Sequence, residues 1–340
     1  MSTKKKIIIL VVAVLVVLGG LVGVLVARGD FSDDSTKRVK KVAEPEKIEK
    51  NPLTGRKATG KEMKRPFIVS TDNDSYLSRP QAGLSQADVL YEVPIEGGGS
   101  RYEPIYYTHK PGLVGAIRSC RPYIINIARE YNAVLVHNGK SPQAKEIFDT
   151  IDRVSAEDDF DIYHQEDNPN LPGNLYSYGS EIVKRMKKRG MYKSKAIPNF
   201  PWLEKGDKVK GKKAETITIN YYDGAYNTFK YDKKTKKYTK YVKDAPLIDA
   251  NNSKEITCSN ILVQKVPFRM YDEQSQRLDI DMTAGGKATM FTRGKAVTGT
   301  WERKDLDSPT LFKDKKGREF KMAPGVTWIQ LIDSTVKFSY

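Results

Sequence analysis

An uncharged apolar run near the amino terminus constrains this chain more than any other feature. Residues 7–27 read IIILVVAVLVVLGGLVGVLVA, which is 21 residues without a charge, and about 20 apolar residues span the hydrocarbon core of a bilayer. Lysines fill positions 4–6, and aspartates follow the run. The positive-inside bias therefore predicts a cytoplasmic segment 1–6, a single transmembrane helix at 7–27 and a cell-membrane protein whose bulk is extracytoplasmic.

Two other readings of this run are less favourable. A cleavable signal peptide has a shorter apolar region followed by small residues of the A-x-A type, and no such site follows residue 27. A lipoprotein needs a cysteine at the end of the run, and the two cysteines of the chain are Cys120 and Cys258. An uncleaved signal anchor fits best.

Charge divides the rest of the chain. Residues 28–64 are rich in charge and poor in aromatic and branched apolar residues, which predicts a flexible stalk. Two domains are predicted after it, at 65–205 and 212–337. Residues 66–205 carry 17 basic and 18 acidic side chains, whereas residues 206–340 carry 26 basic and 17 acidic ones. The basic excess suits an anionic wall polymer, anionic lipid or nucleic acid, and equally a solvated lysine-rich surface.

Apolar periodicity differs between these two domains. In the first, strand-like runs such as 88–93 and 133–137 alternate with helical spacing at 119–131 and 180–189, which predicts an α/β or α+β domain. Pro142 opens a further helix that runs to about residue 151. In the second, seven runs alternate with a period of two between turn signals, which predicts a mostly-β sandwich or barrel.

Several polar, glycine-rich stretches of the first domain are candidate binding segments. Three glycines separate Glu96 from Arg101, so the backbone there can approach an anion closely, although a hairpin turn explains them too. Arg118 and Arg121 stand at a predicted helix start, where guanidinium groups and free N–H groups favour anions. Pairing of these arginines with nearby carboxylates is the competing interpretation.

Three further candidates follow from position. His137 ends a buried-type strand, where ligands of α/β sheets bind, although a structural histidine fits as well. Ser141 follows in the same loop and can cap the helix opened by Pro142. Asn174 either orients a ligand or forms an Asx turn.

No catalytic or metal signature is present. The chain lacks G-x-S-x-G and H-E-x-x-H, and its cysteines and three histidines lack zinc-ligand spacing. We therefore predict no metal and no cofactor. Cys120 and Cys258 are either free buried thiols, which we favour, or an interdomain disulfide. A wall hydrolase using Glu92, Glu96 or Glu103 with His137 is the enzymatic alternative.

These stretches resemble the YerB-like family of Gram-positive envelope lipoproteins, a family of unknown function. The shared motifs occur in the family's order over residues 66–335. They are RPFIVSTDN (65–73), SRPQAGLSQADVLYEV (78–93), EGGGSRY (96–102), GAIRSCRPY (115–123), VHNGKSP (136–142), NLYS (174–177), GKAVTGTW (294–301), PTLFKDKKG (309–317) and APGVTWIQLI (323–332). The resemblance implies two domains and an extracytoplasmic, membrane-tethered protein, and no established activity. Family members often carry a lipobox cysteine, where this chain has its apolar run.

Together these observations predict a binding protein of the cell envelope. Its ligand would be an anionic or glycan component of the wall, held near Glu96, Arg101, Arg118, Arg121 and His137. Another envelope protein is the alternative partner. Aromatic and lysine residues interleave in the last third as in single-strand binders, but an external location argues against nucleic acid.

Overall fold

Strands dominate the computed structural model, which describes residues 50–73, 78–165, 174–222, 225–271 and 273–340. The predicted cytoplasmic segment 1–6, the predicted membrane helix 7–27 and most of the predicted stalk lie outside the described residues. Within the described ranges, no helix combines the length and apolar character needed to cross a membrane.

The described strands are short to medium in length. In chain order they are β1 (Phe67–Val69), β2 (Thr71–Asp72), β3 (Val89–Pro94), β4 (Ser100–Tyr106), β5 (Leu113–Ile117), β6 (Val134–His137), β7 (Arg153–Ser155), β8 (His164–Gln165), β9 (Leu175–Tyr178), β10 (Lys212–Lys213), β11 (Thr216–Tyr222), β12 (Ala225–Asp232), β13 (Lys237–Val242), β14 (Ala245–Pro246), β15 (Thr257–Cys258), β16 (Asn260–Lys265), β17 (Phe268–Met270), β18 (Leu278–Ile280), β19 (Gly286–Thr292), β20 (Lys295–Glu302), β21 (Leu311–Asp314), β22 (Thr327–Ile332) and β23 (Lys337–Ser339). The α-helices are α1 (Pro122–Glu130), α2 (Pro142–Glu146), α3 (Ala156–Asp159) and α4 (Gly179–Lys188).

The predicted fold class is wrong, because the described part of the chain, taken as a whole, is mostly β. Antiparallel hairpins outnumber helical connections between successive strands, as where β3 and β4 pair antiparallel. The helix predicted from Pro142 to residue 151 ends at Glu146. The spacing of apolar residues correctly indicated which faces are buried, but it could not show that successive strands pair directly.

One large sheet contains strands from both halves of the chain. Its order is β10-β20-β19-β16-β22-β3-β4-β2-β5-β9-β8, with β1, β6, β7 and β21 joined at its side. The strand β22 lies parallel to both β3 and β16 and is buried at all six positions, as expected for a central strand. Residues 49–340 accordingly form one compact unit.

The two faces of this sheet carry separate cores. Along β22, Trp328 points to a face covered by the second sheet, β14-β13-β12-β11-β23, where its ring lies 5.4 Å from that of Phe229. Ile329 points to the other face and shares a cluster with Ile124 of α1. This alternation decides which polar side chains can meet, because residues on opposite faces cannot touch.

Candidate functional site

The segment 118–121 is the centre of the polar region predicted from the sequence. It links the end of β5 to α1, and Pro122 occupies the first helical position, where its fixed φ suits the helix. Backbone hydrogen bonds hold the segment on both sides. The Arg118 N–H donates to the Ser70 carbonyl at 2.8 Å, and the Cys120 N–H donates to the Gly139 carbonyl at 3.1 Å. The side chains of Arg118 and Arg121 are therefore carried by a fixed backbone.

Glu96 and Arg121 form a two-point ion pair at the start of α1. Nε of Arg121 donates to Oε2 of Glu96 at 3.1 Å, and Nη2 donates to Oε1. Glu96 lies in the turn between β3 and β4, where Gly97 and Gly98 adopt φ values of 71° and 85°. Burial opposes ionisation most strongly, but the hydrogen bonds from Arg121 and the backbone, with the charges of Arg121 and Arg101, together hold the pKa of Glu96 below its ordinary value.

Arg101 and Glu103 lie on the same face of β4, beneath this ion pair, and both are buried. Nη1 of Arg101 donates to the Ser119 carbonyl, and Nε has no hydrogen-bond partner among the described residues. Glu103 accepts from Ser70 Oγ at 3.3 Å. Burial raises the pKa of Glu103 well above its usual range, while the charge of Arg101 and the hydrogen bond from Ser70 act in the opposite direction.

Burial and the neighbouring charges also affect Arg101. Burial, and then the nearby charge of Arg121, lowers the pKa of Arg101. A guanidinium nevertheless keeps its proton in proteins. Arg101 is therefore a buried cation that forms no ion pair among the described residues, and the carboxyl groups of Glu103 and Glu96 act on it from a longer distance.

Arg118 reaches the opposite side of the segment. Its Nη2 lies 3.0 Å from Oδ2 of Asp72 and donates to Oδ1 of Asn174. The Arg118 side chain is 28% exposed, so it is the most accessible of the three guanidinium groups. Asn174 is buried, and its Nδ2 has no hydrogen-bond partner among the described residues.

His137 and Ser141 have structural surroundings. Nδ1 of His137 lies 2.9 Å from the Gly139 carbonyl, and its ring packs 5.3 Å from that of Phe148. Burial lowers the pKa of His137 to about 4, so the ring is neutral at physiological pH. Ser141 caps α2, because its Oγ accepts from the Ala144 N–H at 3.2 Å.

The structure thus joins five of the seven candidates in one polar region and places the other two beside it. We call Arg101, Arg118 and Arg121, with Glu96, Asp72 and Asn174, the arginine cluster. Its three guanidinium groups face the two ion-paired carboxylates of Asp72 and Glu96, and Glu103 is buried beneath them. An excess of guanidinium groups over ion-paired carboxylates favours an anionic ligand. The sequence analysis missed Asp72 and Ser70, although both lie within the motif RPFIVSTDN.

Glu92 and Glu103, two of the three carboxylates considered for hydrolysis, do not meet. Glu103 pairs in register with Tyr91, the residue before Glu92, so Glu92 and Glu103 point to opposite faces of the sheet. Glu92 is fully buried and accepts from Nζ of Lys240 at 2.7 Å. Lys240 is a further residue that the sequence analysis did not identify, because a lysine in an alternating strand reads as exposed.

Thiol and metal chemistry have no visible basis in the described residues. Cys120 and Cys258 are buried and free, as favoured from the sequence. Burial raises the pKa of Cys120 to about 12, so this thiol is not a thiolate at physiological pH. Within the described ranges, no group of three or more His, Cys, Asp and Glu side chains is arranged to hold a metal ion.

Comparison with known families now decides the identity of the chain. Residues 53–192 match the family described as "Protein of unknown function (DUF3048) N-terminal domain", and residues 217–329 match its C-terminal domain. The chain belongs to this family. The resemblance inferred from the motifs is confirmed, while the predicted domain limits at 65–205 and 212–337 stay predictions.

Two comparisons with a similar protein support the assignment. The chain is 28% identical over 291 residues to the putative lipoprotein YerB of Bacillus subtilis (strain 168), covering 83% of this chain and 86% of that protein. The crystal structure of YerB protein from Bacillus subtilis matches with a TM-score of 0.76 and 26% identity, covering 86% of this chain and 99% of that one.

Proposed function

We propose that this family member is a membrane-anchored, extracytoplasmic protein of the cell envelope that binds an anionic or glycan ligand of the wall at the arginine cluster. Its similarity to a putative lipoprotein supports the location. So does the uncharged run at 7–27, which is flanked by lysines on one side and aspartates on the other.

The observation that carries the proposal is the burial of Arg101, which forms no ion pair among the described residues. A buried cation without a carboxylate in direct contact is costly to keep. The neighbouring Glu103 is itself buried, and burial raises its pKa and so opposes the negative charge that would offset this cost. An anion bound beside the cluster would be attracted by all three guanidinium groups. Its negative charge would lower the free-energy cost of burying Arg101.

Accessible parts of the cluster suit a carboxylate-bearing ligand. Arg118 is partly exposed, and planar guanidinium forks match carboxylates with two parallel hydrogen bonds. The space where Gly97 would carry a Cβ is open, with no heavy atom within 4 Å. A glycan with acidic substituents can therefore approach the turn beside Glu96 without moving the backbone.

A co-sedimentation assay tests this proposal. The purified full chain in non-ionic detergent is mixed with insoluble wall glycan, and both retention in the pellet and release of soluble fragments are measured. We expect retention without fragments, and at least about tenfold weaker retention for Arg118→Ala, since hydrogen bonds to charged groups contribute about 1.5–3 kcal/mol. Arg318→Ala is the matched control, because that exposed arginine pairs only with Asp314 on the far β21 turn.

Three outcomes would contradict the proposal. Equal retention of the Arg118 and Arg318 variants would remove the cluster from binding. Release of fragments that stops with Glu96→Gln or Glu103→Gln would indicate a hydrolase instead. No retention at all would redirect the search to a protein partner in the envelope.

A further inference from the structure

A second charged recess lies on the C-terminal half of the chain, on strands β16, β19 and β20. It encloses about 440 Å³. We call it the lysine groove. Its lining residues are Val263, Lys265, Lys287, Ala288, Thr289, Thr298, Gly299, Thr300, Lys315 and Phe338, none of which is acidic.

Strand register places two of the lysines side by side. Gln264 pairs with Ala288, so the next residues along, Lys265 and Lys287, are cross-strand neighbours. Lys287 in turn pairs with Thr300. Like charges directly opposite each other on neighbouring strands destabilise a sheet. A bound anion would offset this repulsion.

The ammonium groups of the groove lack the acidic partners that nearby basic residues have. Lys313, on the adjacent β21, pairs with Glu302, and Arg318 pairs with Asp314. Among the described residues, Lys265, Lys287 and Lys315 form no ion pair. The groove therefore gathers three ammonium groups without acidic partners in one recess.

The shape of the groove follows from where the second sheet ends. Val263 and Phe291 belong to the core beneath that sheet, and Phe338 of β23 packs over Phe291 with ring centroids 6.3 Å apart. Beyond the edge of the second sheet, the face of the large sheet that carries Val263 continues to Lys265 and Lys287. Thr289 lies in the floor of the groove and is only 7% exposed. A recess of this kind admits one polymer chain, whereas a flat bilayer would contact only its rim.

We propose that the lysine groove binds a linear polyanion linked by phosphodiesters. Lysine recognises phosphate as a point charge, whereas arginine forks suit planar carboxylates. Threonine hydroxyls donate to phosphate oxygens. Neighbouring strands lie about 4.8 Å apart, so the lysines form a row of charges along which successive phosphates can be held.

This site is independent of the arginine cluster. In the large sheet, β22 and β3 lie between β16 and β4, which carries Arg101. The groove also opens on the face of Val263 and Trp328, whereas Arg101 shares the opposite face with Val93, its register partner. A ligand at one site does not touch the other.

The test measures binding of fluorescently labelled poly(glycerol phosphate) to the full chain in non-ionic detergent at several salt concentrations. The variant carries Lys265→Gln, Lys287→Gln and Lys315→Gln. The matched control carries Lys234→Gln, Lys254→Gln and Lys304→Gln, which remove the same charge at exposed positions outside the groove. We expect the groove variant to bind at least about tenfold more weakly and to lose about 2 from the slope of log affinity against log salt.

Two further measurements make the result decisive. Arginine at the three groove positions should restore most of the binding, since it keeps the charge, and circular dichroism should show that every variant is folded. Binding by the groove variant within twofold of the control would overturn the proposal. So would equal competition from vesicles of phosphatidylglycerol, which would indicate a membrane surface. Failure of the arginine cluster proposal is seen separately, because that proposal is tested by retention on insoluble wall glycan and this one by binding of the soluble polymer.

Discussion

The buried ion pair between Glu92 and Lys240 offers the sharpest test of how the two halves of the chain hold together. Lys240 lies on β13 of the second sheet and is 1% exposed, and Glu92 lies on β3 of the large sheet and is fully buried. Nζ of Lys240 lies 2.7 Å from Oε2 of Glu92 and within 4.7 Å of the ring centroids of Phe229 and Trp328. The Asn227 amide donates to the other carboxylate oxygen at 2.8 Å.

Removing both partners should cost less than the two single removals added together. Lys240→Met leaves the Glu92 carboxylate buried without its cation, and such breaks cost about 3–5 kcal/mol. Glu92→Gln should cost less, about 2 kcal/mol, because the amide oxygen still accepts and the two aromatic rings still attract the ammonium group. The double variant has no unpaired charge, so its cost should fall at least about 1 kcal/mol below the sum of the single costs.

Urea unfolding of the full chain, followed by tryptophan fluorescence at constant pH, measures these free energies of unfolding. An unchanged slope with urea would show that the same surface is exposed in each variant. Single costs below about 1 kcal/mol, or costs that add within about 0.5 kcal/mol, would refute the reasoning. The ion pair would then be either solvated or without effect on the free energy of unfolding.

Three smaller predictions concern the site itself. Burial raises the pKa of Glu103 above its unfolded value, so the stability it contributes is present at low pH and lost as pH rises; Glu103→Gln should remove this loss, so the variant should lose less stability than the wild type between acidic and neutral pH in urea titrations. For His137 the pKa falls from 6.5 to about 4, so the folded state loses up to about 3 kcal/mol between pH 6.5 and 4, and His137→Asn should flatten that decline in urea titrations. Ser141→Ala should cost about 1 kcal/mol through loss of the α2 cap and leave ligand retention unchanged, whereas weaker retention would give Ser141 a binding role.

The segments that form the arginine cluster could be predicted from the sequence because their chemistry is local. Three glycines before Arg101 allow the turn that carries Glu96, and Pro122 fixes the helix start beside Arg121. Ser141 followed by proline is likewise a local capping signal, and the structure bears out that interpretation.

Long-range pairing explains what the sequence could not predict. Alternation marked 326–332 as a strand, but nothing local shows that β22 inserts between β3 and β16 and joins the two halves in one sheet. The burial of Lys240 depends on that joining, since its carboxylate partner is 148 residues away. The same holds for the pairing of Lys265 beside Lys287, because register is set by turns and cores rather than by composition.

The central claim is that the arginine cluster binds a wall ligand through the negative charge of that ligand. Chemical modification of the ligand tests this claim most directly. Retention of the full chain is measured on wall glycan whose carboxyl groups have been amidated and on untreated glycan, with Arg118→Ala alongside. Our account predicts that amidation lowers wild-type retention to the level of the variant on untreated glycan and has little further effect on the variant. Undiminished wild-type retention on amidated glycan would contradict the claim.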